Sequence, residues 1–147
     1  MLEDEARIPE LVGKFSELEL LEMESKPVSF VQLAVQISAN CRKFRGLKMA
    51  GAIKKEDAMA IVEHLPKIKS LDLSRAYLPK EQLMVILDGC REIERLSVNE
   101  CIGFETGNEE VMKKAKGIKM FENRGSKLED DFDYETDDCD PWHVCIL

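Results

Sequence analysis

The sequence predicts an α/β solenoid, with short parallel strands on a concave side, helices on a convex side, and about four to five repeated units. Two observations support this fold class. An apolar residue followed by Leu-like residues three and five positions later recurs about every 25 residues. Ahead of each recurrence, apolar residues are spaced by three and four, which is the stripe of an amphipathic helix. One strand–helix unit cannot bury its apolar face alone, whereas stacked units share a core.

The strand halves of the units are predicted from the apolar triplets. In chain order these are Phe15, Leu18 and Leu20; Phe44, Leu47 and Met49; Ile68, Leu71 and Leu73; and Ile93, Leu96 and Val98. Their starts lie 29, 24 and 25 residues apart. A further start at Ile118 has Phe121 three positions later but Asn123 at the fifth, so we interpret it as a decaying last unit.

The helix halves are predicted by counting back from each following start. Three positions before it lie Cys41, Leu65, Cys90 and Ala115; seven before it lie Ile37, Ile61, Ile86 and Val111; ten before it lie Ala34, Ala58, Leu83 and Asn108. Only Asn108 is polar. The spacing therefore predicts one helix in each unit, with its apolar stripe facing the strands.

Both ends of the chain depart from the repeat, which gives three predicted segments. In residues 1–14, Ile8 and Val12 lie seven and three positions before Phe15, as expected for the helix half of an incomplete first repeat. Residues 15–125 hold the repeats. Residues 126–147 are predicted to be an acidic disordered tail, since 128–147 contain eight Asp and Glu and no Lys or Arg. We expect the chain to be the C-terminal part of a longer protein.

Composition and charge exclude several classes of function. The acidic residues of 128–147 account for the whole net charge of −8, so residues 1–127 are neutral overall. A neutral body is poorly suited to binding nucleic acid. No apolar run approaches the ~20 residues that span a bilayer, and no signal peptide is visible. The five cysteines form an odd count without a framework spacing. We therefore expect reduced thiols and a cytoplasmic or nuclear protein, with neither nucleic acid nor membrane as partner.

No catalytic, cofactor-binding or metal site is predicted. His64 lies at a predicted helix end, and the periodicity places Cys90 and Cys101 in the core, where a thiol behaves as a small hydrophobe. Three soft metal ligands lie in the tail, namely Cys139, His143 and Cys145. They have no fourth ligand and no folded frame, so a disordered tail is favoured over a zinc site. We expect a protein that is not an enzyme.

The candidate binding surface is the concave side of the predicted sheet. Neighbours along a strand point to opposite faces, so the residues beside the buried positions face this side. The polar ones are Glu17, Glu19, Lys48, Ser70, Asp72, Ser74, Arg95, Ser97 and Asn99. They carry mixed charge and no aromatic platform for bases, which favours contact with a protein or peptide. A second candidate surface is formed by the turns around Lys54–Asp57, Arg75, Tyr77 and Glu105–Thr106, in which Tyr77 either anchors an interface or, as is more common, covers the turn.

The segments DGCREI and LSVNECIGF resemble cysteine-containing leucine-rich repeats, with Cys90 and Cys101 at the two characteristic positions and Cys41 at the first again. Together with the acidic tail, residues 8–125 resemble plant F-box/LRR-repeat proteins. That resemblance implies substrate binding by the repeats in an SCF ubiquitin ligase, whose Skp-type adaptor is bound only through an F-box. No F-box is found in this sequence. The alternative is a free-standing leucine-rich-repeat interaction protein without a role in ubiquitin ligation.

Overall fold

The computed structural model describes residues 14–128 as short strands alternating with helices. The strands are β1 (Leu20–Glu22), β2 (Gly46–Lys48), β3 (Gly51–Ala52), β4 (Ser70–Asp72), β5 (Ala76–Tyr77), β6 (Arg95–Ser97) and β7 (Met120–Glu122). The helices are α1 (Phe30–Asn40), α2 (Lys55–His64), α3 (Lys80–Gly89) and α4 (Glu109–Lys114). The predicted α/β class with parallel strands is confirmed, and the architecture fits a leucine-rich-repeat-like fold.

Two predicted segments fall largely outside the described residues. They are the incomplete first repeat at 1–14, of which only Lys14 is described, and the acidic tail at 126–147, of which only 126–128 are described. The candidate zinc ligands Cys139, His143 and Cys145 also lie outside the described range.

The main sheet has five parallel strands in the order β1-β2-β4-β6-β7. Equivalent residues stand side by side along it, so that Leu47 pairs with Leu71 and Leu71 with Leu96. These three side chains are at most 3% exposed. A second, two-stranded sheet pairs β3 with β5, and isolated bridges extend its row from Tyr77 to Ile102 and on to Lys127. The predicted alignment of strand residues is therefore present.

The core lies between the main sheet and the helices and is mainly aliphatic. The predicted helix stripe is buried in all four units, at Ala34 and Ile37, Ala58 and Ile61, Leu83 and Ile86, and Val111. Each buried Leu, Ile or Val side chain stabilises the fold by about 1.5–3 kcal/mol relative to exposure. Phe30 and Phe104 are the bulkiest fully buried side chains among the described residues. The period of the apolar residues thus correctly predicts which helix face is buried.

The predicted strand register of the first unit is wrong by three residues. β1 pairs Leu20 with Gly46 and Leu21 with Leu47. The triplet of that unit is therefore Leu18, Leu21 and Met23, which satisfies the same apolar rule. Its distance to the next unit is 26 residues, close to the 24 and 25 of the later units, whereas the predicted start required 29.

Phe15, the predicted start of the first triplet, instead lies three positions before the start of the first unit at Leu18. Its side chain is 58% exposed, and its carbonyl oxygen accepts a hydrogen bond from Cys41 Sγ at 3.2 Å. In the next pair of units, Cys90 Sγ lies 3.9 Å from the oxygen of Leu65 in the same way. Phe15 is therefore equivalent to Cys41, Leu65 and Cys90.

The two polar exceptions to the apolar pattern both have hydrogen-bond partners. Asn108 caps α4, since its side-chain oxygen accepts from the backbone N–H of Glu110 at 3.0 Å and of Val111 at 3.2 Å. Asn123 is 9% exposed, and its side-chain Nδ2 donates to Met112 Sδ at 3.6 Å. A side-chain acceptor satisfies backbone N–H groups that the first turn of a helix leaves without partners, which accounts for an Asn in place of an apolar residue at position 108.

Candidate protein-binding surface

The side chains of the main sheet that point away from the helices form a continuous surface, which we call the open sheet face. It corresponds to the predicted concave side. Strand pairing arranges it in two rows across the sheet, Leu20–Gly46–Ser70–Arg95–Met120 and Glu22–Lys48–Asp72–Ser97–Glu122. Seven predicted residues lie on these rows or two positions after a strand: Lys48, Ser70, Asp72, Ser74, Arg95, Ser97 and Asn99.

Glu17 and Glu19 do not lie on the open sheet face, which corrects their predicted placement. Both precede β1 and form ion pairs with the following unit. Glu17 Oε1 lies 2.7 Å from Lys43 Nζ, and Glu19 Oε1 lies 3.0 Å from Arg45 Nε. The cause is the three-residue register difference in the first unit, which brings Leu20 and Glu22 to the corresponding positions.

A hydrogen-bond network fixes the polar side chains at the ends of the strands. Asp72 Oδ1 accepts from the backbone N–H of Ser74 at 2.9 Å, and Ser74 Oγ accepts from that of Asn99 at 3.1 Å. Asn99 Nδ2 donates to Glu122 Oε1 at 3.1 Å, and Asn99 Oδ1 accepts from the backbone N–H of Arg124 at 2.8 Å. The network joins three consecutive units, so this part of the surface is ordered before any partner arrives.

Lys48 and Arg95 are the exposed cations of β2 and β6 on the open sheet face. Within residues 14–128, neither side chain has a hydrogen bond or an ion pair. Cationic groups with free donors are suited to carboxylates and carbonyl oxygens of a protein partner. Together with the fixed Asp72–Asn99 network, they give the face both free and pre-arranged polar groups.

Two apolar residues on this surface were missed by sequence reasoning. Leu20 is 51% exposed and Met120 is 50% exposed, at opposite ends of the first row. A Cβ atom at Gly46 would lie 2.3 Å from Leu20 Cδ2, so Leu20 covers this glycine. The alternative triplet Leu18, Leu21 and Met23 would have predicted Leu20 on this face, because Leu20 directly precedes the inward-facing Leu21. Met120 precedes Phe121 in the same way.

The predicted turn surface is divided between exposed residues and residues that serve the fold. Tyr77 is 40% exposed and Arg75 is also exposed. In contrast, Asp57 is 5% exposed and accepts from Lys26 Nζ at 2.6 Å. Thr106 donates to the backbone of Asn123. Only the part around Arg75 and Tyr77 therefore presents both a charge and an aromatic ring.

The cysteines of the described chain are buried thiols. Cys41, Cys90 and Cys101 are all free and buried. Burial raises the pKa of Cys90 and that of Cys101 to about 11, and it also raises the pKa of Cys41. Because the thiolate is the nucleophile, such thiols react slowly near neutral pH. The predicted core position of Cys90 and Cys101 is confirmed.

His64 is half-buried at the last residue of α2. Within the part of the chain that the structure describes, no three His, Cys, Asp or Glu side chains gather in a group able to hold a metal ion. The helices of that same part include none that is long and apolar enough to cross a membrane.

Comparison with known proteins agrees with the strand–helix architecture. An F-box/LRR-repeat protein of Arabidopsis thaliana is 34% identical over 67 residues, which are 46% of this chain and 22% of that protein. The F-box protein SKIP19 from the same plant is 26% identical over 129 residues, 83% of this chain and 43% of that protein. F-box/LRR-repeat protein 21 is 44% identical over 46 residues, 31% of this chain and 15% of its own length.

The chain is thus similar in sequence to plant F-box and F-box/LRR-repeat proteins. It spans less than half the length of these curated relatives. No family model and no solved structure matches the sequence. The family resemblance seen in the cysteine-containing repeat segments is therefore confirmed.

Proposed function

We propose that this chain is a non-catalytic protein-recognition module and forms the substrate-binding leucine-rich-repeat part of an F-box-type SCF ubiquitin-ligase receptor. One observation carries the proposal: a parallel ladder of equivalent strands presents a continuous row of small polar and charged side chains. Such a surface suits hydrogen-bonded contact with a protein. The relationship to plant F-box/LRR-repeat proteins supports the ligase role.

The proposal includes an architecture for the chain. About four to five leucine-rich repeats of a solenoid extend from Leu18, the corrected start, to residue 125; the residues before Leu18 form the helix half of an incomplete repeat, and 126–147 form an acidic tail. The regular pairing of Gly46, Ser70 and Arg95 along the sheet supports stacking of equivalent units. The Skp-type adaptor is contacted through an F-box outside this sequence. We place the protein in the cytoplasm or nucleus.

Binding to the substrate is proposed to use the free cations of the open sheet face. Lys48 and Arg95 supply unpaired donors, while Ser70 and Ser97 lie beside them as small residues that let a partner's backbone approach. Asp72 and Asn99 are held in place by their hydrogen bonds. Because fewer side chains need ordering on binding, this arrangement lowers the entropic cost of association.

The experiment purifies the full-length gene product from plant cells and quantifies the proteins bound to it. The double variant Lys48→Glu/Arg95→Glu reverses the free charges of the open sheet face. Its control is Lys67→Glu/Lys116→Glu, which reverses two exposed charges in the loops after α2 and α4. We expect the Skp-type adaptor to be retained by both variants, and specific partners to be lost only from the first.

Two results would contradict the proposal in different ways. A full-length product that never co-purifies with the adaptor would refute the ubiquitin-ligase role and leave a free-standing interaction protein. Retention of every bound partner by Lys48→Glu/Arg95→Glu would refute the open sheet face as the binding surface.

A further inference from the structure

Three turns that follow strands of the main sheet contain a residue in the left-handed backbone region. The φ angles are +62° at Arg75, +54° at Glu100 and +72° at Gly125. These residues are 25 positions apart. They occupy equivalent places, since Arg75 N–H donates to the oxygen of Asn99 at 2.8 Å and Glu100 N–H to that of Arg124 at 2.7 Å.

Arg75 and Glu100 are strained by this conformation, because a Cβ atom crowds the backbone there. Glycine adopts the same region without that strain, and Gly125 shows that the turn accepts it. Both side chains are exposed. Neither forms a hydrogen bond or an ion pair with any residue between 14 and 128. Strained residues of this kind gather at functional sites, and here neither side chain offsets the strain with a hydrogen bond or an ion pair in the described part of the chain.

The strained pair lies two positions before an aromatic–aliphatic pair, Tyr77 of the second sheet and Ile102 beside it. Tyr77 and Ile102 are joined by a parallel bridge; Tyr77 is 40% exposed and Ile102 is partly exposed. We call Arg75, Tyr77, Glu100 and Ile102 the turn anchor. It is continuous with the open sheet face, because Arg75 directly follows Ser74.

We propose that the turn anchor is a second contact for the partner of the open sheet face, and that it binds an extended protein segment with one apolar side chain between an acidic and a basic residue. The acidic residue pairs with Arg75, the basic residue pairs with Glu100, and the apolar side chain packs on Tyr77 and Ile102. This inference rests on the proposed function. One charge of each sign beside an exposed apolar pair complements such a segment, whereas nucleic acid requires clustered Lys and Arg.

The first measurement tests the strain. Arg75→Gly and Glu100→Gly are each expected to raise the melting temperature of the chain by about 1–3 °C, since glycine relieves the left-handed strain. The matched control is Arg124→Gly, an exposed residue directly before Gly125 whose φ is not positive. Glycine there is expected to lower the melting temperature, because it only adds freedom to the unfolded chain. A lower melting temperature for both Arg75→Gly and Glu100→Gly would refute the strain argument.

The second measurement tests the ligand with a phage-displayed random-peptide library selected against the whole chain. We expect enriched peptides to contain an apolar residue flanked by one acidic and one basic residue. Affinity should fall about tenfold or more in Tyr77→Ala and in the more stable Arg75→Gly/Glu100→Gly variant. The charge exchange Arg75→Glu/Glu100→Arg keeps the net charge and should select peptides with the two charges in reversed order.

The results distinguish this inference from the function on which it rests. Peptides that lose affinity only with Lys48→Glu/Arg95→Glu would place binding on the open sheet face and overturn the turn anchor alone. A library that yields no peptide sensitive to either set of variants would overturn peptide recognition by both surfaces.

Discussion

Lys26 Nζ lies 2.6 Å from Asp57 Oδ2, and the two side chains are only 15% and 7% exposed. The same carboxylate oxygen accepts the backbone N–H of Lys54 at 2.8 Å, where α2 begins. One carboxylate therefore joins the segment between β1 and α1 to the next unit and also caps a helix. A buried charge that loses its partner is strongly destabilising, so this pair ties two units together.

Removing the Asp57 carboxylate is expected to destabilise the protein strongly. Asp57→Ala should lower the free energy of unfolding by about 3 kcal/mol, because it leaves the Lys26 ammonium nearly buried and removes the cap. Asp57→Asn keeps an acceptor for Lys54 N–H, and adding Lys26→Met to Asp57→Asn should recover part of the loss. Urea denaturation measures all of these variants. If Lys26→Met lowered the free energy of unfolding equally in the original chain and in the Asp57→Asn background, the two side chains would not be coupled.

The central strand ladder is expected to be sensitive to cavity formation at Leu71. Leu71 is 1% exposed and lies between Leu47 and Leu96. Leu71→Ala should lower the free energy of unfolding by about 3 kcal/mol, from lost burial and the cavity left behind. The neighbouring change Ser70→Ala, on the open sheet face, should alter it by less than about 0.5 kcal/mol. Similar urea midpoints for the two variants would be inconsistent with this ladder.

The effect of alanine at Gly89 on stability is expected to depend on the side chain of Val62. A Cβ atom at Gly89 would lie 2.3 Å from Val62 Cγ1 and 3.0 Å from Val62 Cβ, so α3 and α2 meet at this point. Gly89→Ala should destabilise by about 1–3 kcal/mol despite its better helix propensity, because the branched Val62 is stiff. In a Val62→Ala background only the 3.0 Å approach to the Cβ atom of residue 62 remains, so the same change should destabilise by at least about 1 kcal/mol less.

A double-mutant cycle in urea measures this coupling between Gly89 and Val62. If Gly89→Ala had the same effect in both backgrounds, the close contact of the two helices would not be the reason for glycine.

The buried thiols are expected to react slowly with iodoacetamide until the protein unfolds. In a Cys139→Ser/Cys145→Ser background, the remaining cysteines are Cys41, Cys90 and Cys101. The raised pKa values of Cys90 and Cys101, about 11, leave little thiolate at pH 8. Labelling of both should therefore increase as the pH rises towards 11, and it should be rapid in urea at pH 8. Mass spectrometry of the peptides assigns each rate, and fast native labelling of Cys101 at pH 8 would contradict its burial.

The sequence by itself determined the repeating strand–helix plan and most of the buried positions. Leu47, Leu71 and Leu96 recur with the period of the units, as do Ile37 and Ile61, because equivalent units must bury the same face against their neighbours. The polar positions of β2, β4 and β6 followed from the alternation of side chains along a strand.

Only the tertiary structure decided the register of the first unit and the contacts between distant residues. Two apolar triplets satisfied the same local rule, and hydrogen bonding to β2 selected the one that brings Leu21 beside Leu47. The Lys26–Asp57 pair joins residues 31 positions apart. The left-handed turns at Arg75 and Glu100 have no glycine at that position from which the conformation could be predicted. Local patterns predict which side chains are buried, whereas strand register, ion pairs and turn conformation depend on where the next unit lies.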